Sequence, residues 1–211
     1  MIKKIKDYIN NDHQFDKITF MAIMALVVVI AGIFGFIYEF IFYYLNSGLK
    51  TFYYRGSNFL PWINIYAYGA LLIYFFTYKL RRHPIKVFFL NALICGVLEL
   101  ISGYVMYEFF DGFRCWDYNT EIMNFGNIGG YVCLRSVTFF GLSSLLLIYG
   151  IVPFIFYLAK RMNKKTFIIL SFSLFFIFIF DEVYNLIIAR IINTQRASDI
   201  YKKIGFKYMK F

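Results

Sequence analysis

Two histidines, three cysteines and three prolines in 211 residues leave little room for several kinds of chemistry. The histidines are His13 and His83, both in basic segments assigned below to the cytoplasmic side. A Ser-His or Cys-His nucleophile pair on the opposite side therefore has no base available. Cys95, Cys115 and Cys133 form no Cys-x-x-Cys, which removes zinc ribbons and dithiol redox motifs, and a zinc site built from carboxylates alone is unusual. No metal centre and no cofactor is expected. Cys115 and Cys133 can both lie on the outer side, and both a pair and two free thiols are open to them. No Gly-x-x-x-x-Gly-Lys-Ser/Thr occurs, so the chain is not itself an ATPase. Acidic residues are also scarce, 12 against 22 Lys and Arg, for a net charge of +10. In a soluble domain that excess would suggest nucleic acid. Here the basic residues sit in short segments between apolar runs, as in loops facing an anionic leaflet, and no nucleic-acid partner is expected.

What the chain does have is apolar length. It is 61% hydrophobic and 23% aromatic, with a mean hydropathy of +0.62, well above a soluble domain. Five apolar runs stand out, at about residues 18–45, 61–79, 86–108, 131–158 and 166–190. Each holds at least the roughly 17–25 residues that cross the hydrocarbon as a helix, and the expectation is an all-α, polytopic membrane bundle of about five spans. The first run exceeds a signal-peptide core and is read as a retained span. Three parts follow: a basic tail, 1–17; the bundle, 18–190; and a basic amphipathic tail, 191–211.

Loop charges set an orientation. Lys3, Lys4, Lys6 and Lys17 precede the first span, Lys79, Arg81, Arg82 and Lys86 follow the second, and Lys160, Arg161, Lys164 and Lys165 follow the fourth. The third loop instead holds Glu108, Asp111, Asp117 and Glu121. The positive-inside rule then places the N-terminus in the cytoplasm of a multi-pass cell-membrane protein. Five spans leave the C-terminal tail outside despite Arg196, Lys202, Lys203, Lys207 and Lys210. Either the tail violates the rule or the fifth run does not cross fully, and the tail also reads as a segment lying on a membrane surface.

Charges inside the runs carry the functional argument, because a carboxylate at bilayer depth costs roughly 2.5–3.5 kcal/mol on insertion scales. At about 1.5 Å per residue, Glu99 lies about 20 Å into its span and Asp181 and Glu182 about 23 Å into theirs. Glu39 lies near the outer end of the first span and Arg135 near the outer start of the fourth. The expectation is that these groups meet in one chamber in the outer half of the bilayer, with Arg55 and Arg135 as counter-charges to Glu99. Asn91, Cys95, Glu99, Ser102 and Gly103 form one stripe of the third run, which fits either helix packing or a pocket wall. Asp181, Glu182 and Asn185 suit a proton relay or a snorkelling turn equally.

The outer loops hold Arg55-Gly56, Pro61, Tyr66 and Gly69, then Glu108, Trp116-Asp117-Tyr118, Asn127 and Gly130. With Tyr38-Glu39, Glu99 and Gly141, these residues cover about 35–145 in an order and spacing that resembles the small membrane proteins called putative ABC-transporter type IV permeases. Two departures stand out. Asn64-Ile65-Tyr66-Ala67-Tyr68-Gly69 replaces the Pro-Ile-Tyr-Gly usual there, and Tyr131 stands where that pattern has an Arg, with Arg135 one turn on. The resemblance implies a polytopic membrane protein of permease type.

The leading functional expectation is an integral membrane protein that binds or moves a small polar or cationic solute through an outer-facing acidic pocket. Its lining would be Glu39, Arg55, Tyr66, Glu99, Glu108, Trp116, Asp117, Tyr118, Asn127 and Arg135. Its partners would be membrane lipid and a separate ATPase or other membrane subunit. The alternatives are a partner subunit without transport, and a lipid-modifying enzyme using carboxylates as bases; the enzyme ranks last.

Overall fold

A computed structural model describes residues 15–207 apart from 57, 110, 111, 113 and 115. Lys3, Lys4, Lys6, His13, Asp111, Cys115 and Lys210 lie outside the described residues, so neither the basic N-terminal tail nor a Cys115–Cys133 pair is addressed. The described chain is all-helical, and no strand occurs among these residues. Four helices are long and apolar enough to cross a membrane: α1 (Lys17–Asn46), α3 (Pro84–Phe109), α4 (Leu134–Arg161) and α5 (Lys164–Ile191). Between the first two lies α2 (Asn64–Thr77), and after α5 comes the short α6 (Ala197–Lys203). Phe89, Leu93, Ile101, Phe176 and Phe180 are all exposed, an apolar exterior that suits lipid rather than water.

The helices start where local chemistry dictates. Asp16 caps α1, accepting from the Thr19 amide at 3.2 Å and its hydroxyl at 2.7 Å. A hydrogen-bonded ion pair with Lys164 at 2.9 Å, then the two Thr19 bonds, hold the Asp16 carboxyl well below its ordinary range. Because the folded-state value is depressed, this cap is present above the ordinary carboxylate pKa and is lost only as pH falls through the lowered one. Asn163 caps α5 through the Lys165 and Thr166 amides, and Pro84 opens α3 where its missing N–H does no harm.

The second expected span is the one that differs. α2 has 14 residues, about 21 Å of helix, short of the roughly 30 Å hydrocarbon. The described residues before it, 51–56 and 58–63, are not helical, and they fold back along α1. Phe52 stacks on Tyr44 and Phe40, Tyr54 meets Phe36, and the Ile63 amide donates to the Gly32 carbonyl at 3.0 Å, near the middle of α1. Pro61 and the polar pair Asn58 and Asn64 stop the helix from starting earlier.

The chain folds into two compact units, the first made of residues 15–72 with 149–207 and the second of 73–148. In the first, α1 packs on α5 and on the last turns of α4. Its core is Val28, Val29, Trp62, Ala67 and Phe178, flanked by Ile33, Leu71 and Leu174. Gly32 and Gly35 make room for the returning segment. A Cβ on Gly35 would lie 2.3 Å from the Tyr66 ring and 2.6 Å from its Cβ. Gly35→Ala is therefore expected to lower stability by about 1–3 kcal/mol, read as a shifted unfolding midpoint in mixed micelles, and Gly69→Ala, which meets nothing within 4 Å, by much less.

In the second unit α3 and α4 run antiparallel, and three glycines set the approach: Gly96 against Val137, Gly103 against Tyr131 and Gly141 against Phe88. The buried residues of α3 include Asn91, Gly96, Glu99 and Gly103; of the stripe read from the sequence, Asn91, Glu99 and Gly103 are buried, while Cys95 and Ser102 are partly exposed at its border. The Asn91 amide donates to the Val87 carbonyl at 2.8 Å and the Thr77 hydroxyl at 3.2 Å.

Candidate functional site

The intramembrane charges fall into two networks, one inside each unit. In the first unit, Arg55 Nε bonds Glu39 Oε2 at 2.7 Å, and its guanidinium lies 4.4 Å from the Tyr43 ring centroid. Arg55 is thus the counter-charge of Glu39. Tyr66 packs its ring over Gly35 and edge-on to Tyr38.

Asp181 does something the sequence did not disclose. Its two oxygens accept from the backbone amides of Phe59 and Leu60, at 2.8 and 2.9 Å. Asn185 Nδ2 adds a third bond at 2.8 Å. The carboxylate is buried and its bonds are those of a main-chain cap, not of a snorkelling residue. Non-helical backbone at membrane depth survives only where protein supplies the missing partners. Here Asp181 supplies two acceptors, and the Asn58 amide donates to the Trp62 carbonyl at 3.3 Å and to Asn64 Oδ1 at 2.6 Å. Glu182, next in sequence, accepts from Asn64 Nδ2 at 2.9 Å and from the Tyr68 hydroxyl, at the start of α2 where helix dipoles favour an anion.

The second network is built around Glu99, 8% exposed on the inner face of α3. The Tyr118 hydroxyl donates to its Oε1, and Ser136 Oγ lies 2.7 Å from Oε2. Ser136 Oγ is also 2.8 Å from the Cys133 carbonyl; its single proton is better used on the carboxylate, where the bond is charge-assisted. Tyr118 stands in a short 3-10 turn (Tyr118–Thr120) that Asp117 caps through the Asn119 amide at 3.0 Å. Burial first, then the Glu99 charge, push the Tyr118 phenol far above its ordinary value, so it stays a donor. Arg135, in the first turn of α4, is ion-paired with Glu121 and lies 5.3 Å from the Tyr118 ring centroid. Glu121, which is not among the site residues expected from the sequence, has 1% of its side chain exposed. The one hint was a basic residue fourteen positions on.

The remaining expected residues scaffold this loop. Trp116 Nε1 donates to the Tyr131 carbonyl at 2.8 Å. Asn127 accepts from the Gly130 amide and donates to Asn119 Oδ1. Arg114 reaches Asp117 at 3.5 Å and stacks over Tyr107 and Tyr131. Gly130 has φ +81°, and a Cβ there would meet Asn119, Arg114 and Asp117 at 2.4–2.5 Å, so only glycine closes the turn. Glu108 is exposed at the end of α3, away from these bonds. Among the described residues no group of three or more His, Cys, Asp or Glu is arranged to hold a metal ion.

No curated protein and no solved structure matches the chain. A family model does: that of the putative ABC-transporter type IV proteins, over residues 26–186. The match takes in four apolar helices, the returning segment and both charge networks, and the chain belongs to this family of ABC-transporter-type membrane proteins.

Proposed function

We propose that the chain is the membrane-embedded, solute-binding subunit of an ABC-type transporter, and that it binds a small cationic solute at the Glu99 network. The observation that carries this reading is the setting of Glu99. Glu99 is a buried carboxylate whose hydrogen bonds come from two neutral hydroxyls, Tyr118 and Ser136, beside the Glu121–Arg135 ion pair. A carboxylate withdrawn from water and met by neutral donors gains strongly from a cation bound beside it. Tyr118 adds an aromatic face and a fixed hydroxyl, a combination that suits an organic ammonium group.

In this reading the N-terminus is cytoplasmic, and a separate ATPase subunit docks on the basic segment around Lys79–Lys86. The 211 residues hold no Gly-x-x-x-x-Gly-Lys-Ser/Thr, which is why this reading assigns ATP hydrolysis to a separate part of the transporter.

The test uses purified full-length protein and a panel of small alkylammonium ions, with alkylsulfonates of equal size as controls. Ammonium ions are expected to raise thermal stability and sulfonates are not, and Glu99→Gln is expected to weaken the ammonium response at least about 10-fold. Equal responses to both charge classes, or an unchanged response in Glu99→Gln, would defeat the proposal. Binding without flux in vesicles holding candidate ATPase partners would favour a non-transporting subunit.

A further inference from the structure

The segment after α5 is strongly basic and is held against the returning segment. Residues 190–207 contain Arg190, Arg196, Lys202, Lys203 and Lys207 against one carboxylate, Asp199. That carboxylate is engaged locally, by the Arg196 amide at 3.1 Å and the guanidinium at 3.5 Å. Arg190, Lys202, Lys203 and Lys207 are exposed, and so are the apolar side chains Ile191, Ile192 and Ile204. Basic heads interleaved with exposed isoleucines are the composition of a segment lying at a lipid interface, where buried apolar area and attraction to anionic headgroups act together.

The other side of α6 is fully occupied. Ala197 and Ser198 are buried, and Tyr201 stacks on Tyr54 with ring centroids 3.9 Å apart. The Tyr201 hydroxyl donates to the Phe59 carbonyl at 2.7 Å, and the Tyr54 amide donates to the Lys207 carbonyl at 3.1 Å. The Ala197 amide is fixed by Asn185 Oδ1 at 2.7 Å. Phe59 is therefore gripped from both sides, its amide by Asp181 and its carbonyl by Tyr201.

We propose that the outward face of residues 190–207 is a docking surface for anionic phospholipid headgroups, and that lipid seated there holds α6 down on the returning segment. The occupant follows from charge complementarity joined to the exposed isoleucines. A protein partner or free phosphate would match only the charge. The inference concerns the first unit alone and is independent of the Glu99 network.

The experiment titrates the full chain, purified in a neutral detergent, with phosphatidylglycerol, with phosphatidylcholine of the same acyl chains, and with inorganic phosphate. Native mass spectrometry reads the bound lipid, and hydrogen exchange reads the Phe59 and Leu60 amides. Phosphatidylglycerol is expected to bind preferentially and to slow exchange at those two amides. The triple variant Lys202→Gln, Lys203→Gln, Lys207→Gln should weaken that binding at least about 10-fold, and the matching Arg triple should restore it. Tyr201→Phe should keep the lipid but lose the slowed exchange. Equal binding of the two lipids, phosphate alone reproducing the effect, or an unaffected Gln triple would each overturn the proposal.

Discussion

Replacing Asp181 by alanine is expected to be the most damaging single change in the described chain. The substitution leaves the Phe59 and Leu60 amides without acceptors and frees Asn185 Nδ2 from its side-chain bond. An unsatisfied buried donor costs about 1–3 kcal/mol, so two of them, with the lost charge assistance, predict a loss of about 3–5 kcal/mol. Asp181→Asn keeps one acceptor oxygen and should fall between alanine and wild type. Reversible unfolding in mixed micelles gives the total, and hydrogen exchange at residues 59 and 60 localises it. An Asp181→Ala protein with wild-type stability and slow exchange there would show that the returning segment is held by its apolar contacts alone.

The second large effect is expected at Glu121. Its partner Arg135 has 12% of its side chain exposed, and removing one member of a buried pair typically costs about 3–5 kcal/mol because the other charge stays behind. Glu121→Gln and Arg135→Gln should each destabilise strongly, the second also removing the cation beside Tyr118. The double variant should lose clearly less than the two singles together, with a coupling of about 1.5 kcal/mol or more. Strict additivity would mean that the two side chains do not work as a pair.

These two residues show where reading the sequence stops. The four long helices were legible, because hydropathy over some twenty residues is a local property: the expected 86–108 and 166–190 became Pro84–Phe109 and Lys164–Ile191. Glu99 was legible as a buried carboxylate for the same reason. The returning segment was not. Its apolar residues resemble a fifth span, and the side chain that permits non-helical backbone there lies 121 and 122 positions away. Pairing failed in the same manner. Arg55 was read as a partner of Glu99, yet it bonds Glu39, sixteen residues earlier. Glu121 was hidden among other acidic residues of one loop, and only the position of Arg135 in the first turn of α4 singles it out. The match of residues 26–186 to the family bears out the resemblance drawn from Tyr38-Glu39, Arg55-Gly56 and Trp116-Asp117-Tyr118.

Near its end α5 widens into a single π turn, Tyr184–Ile188, where Asn185 Nδ2 covers the Asp181 carbonyl at 2.9 Å. Such a turn holds one residue more than an α-helix needs, and each residue advances the direction of everything after it by about 100°. The insertion therefore acts as an angular setting. It sets the direction of the last helical turn, Ala189–Ile191, and of Asn185 within the π turn, whose Oδ1 holds the Ala197 amide at 2.7 Å and so fixes where α6 begins.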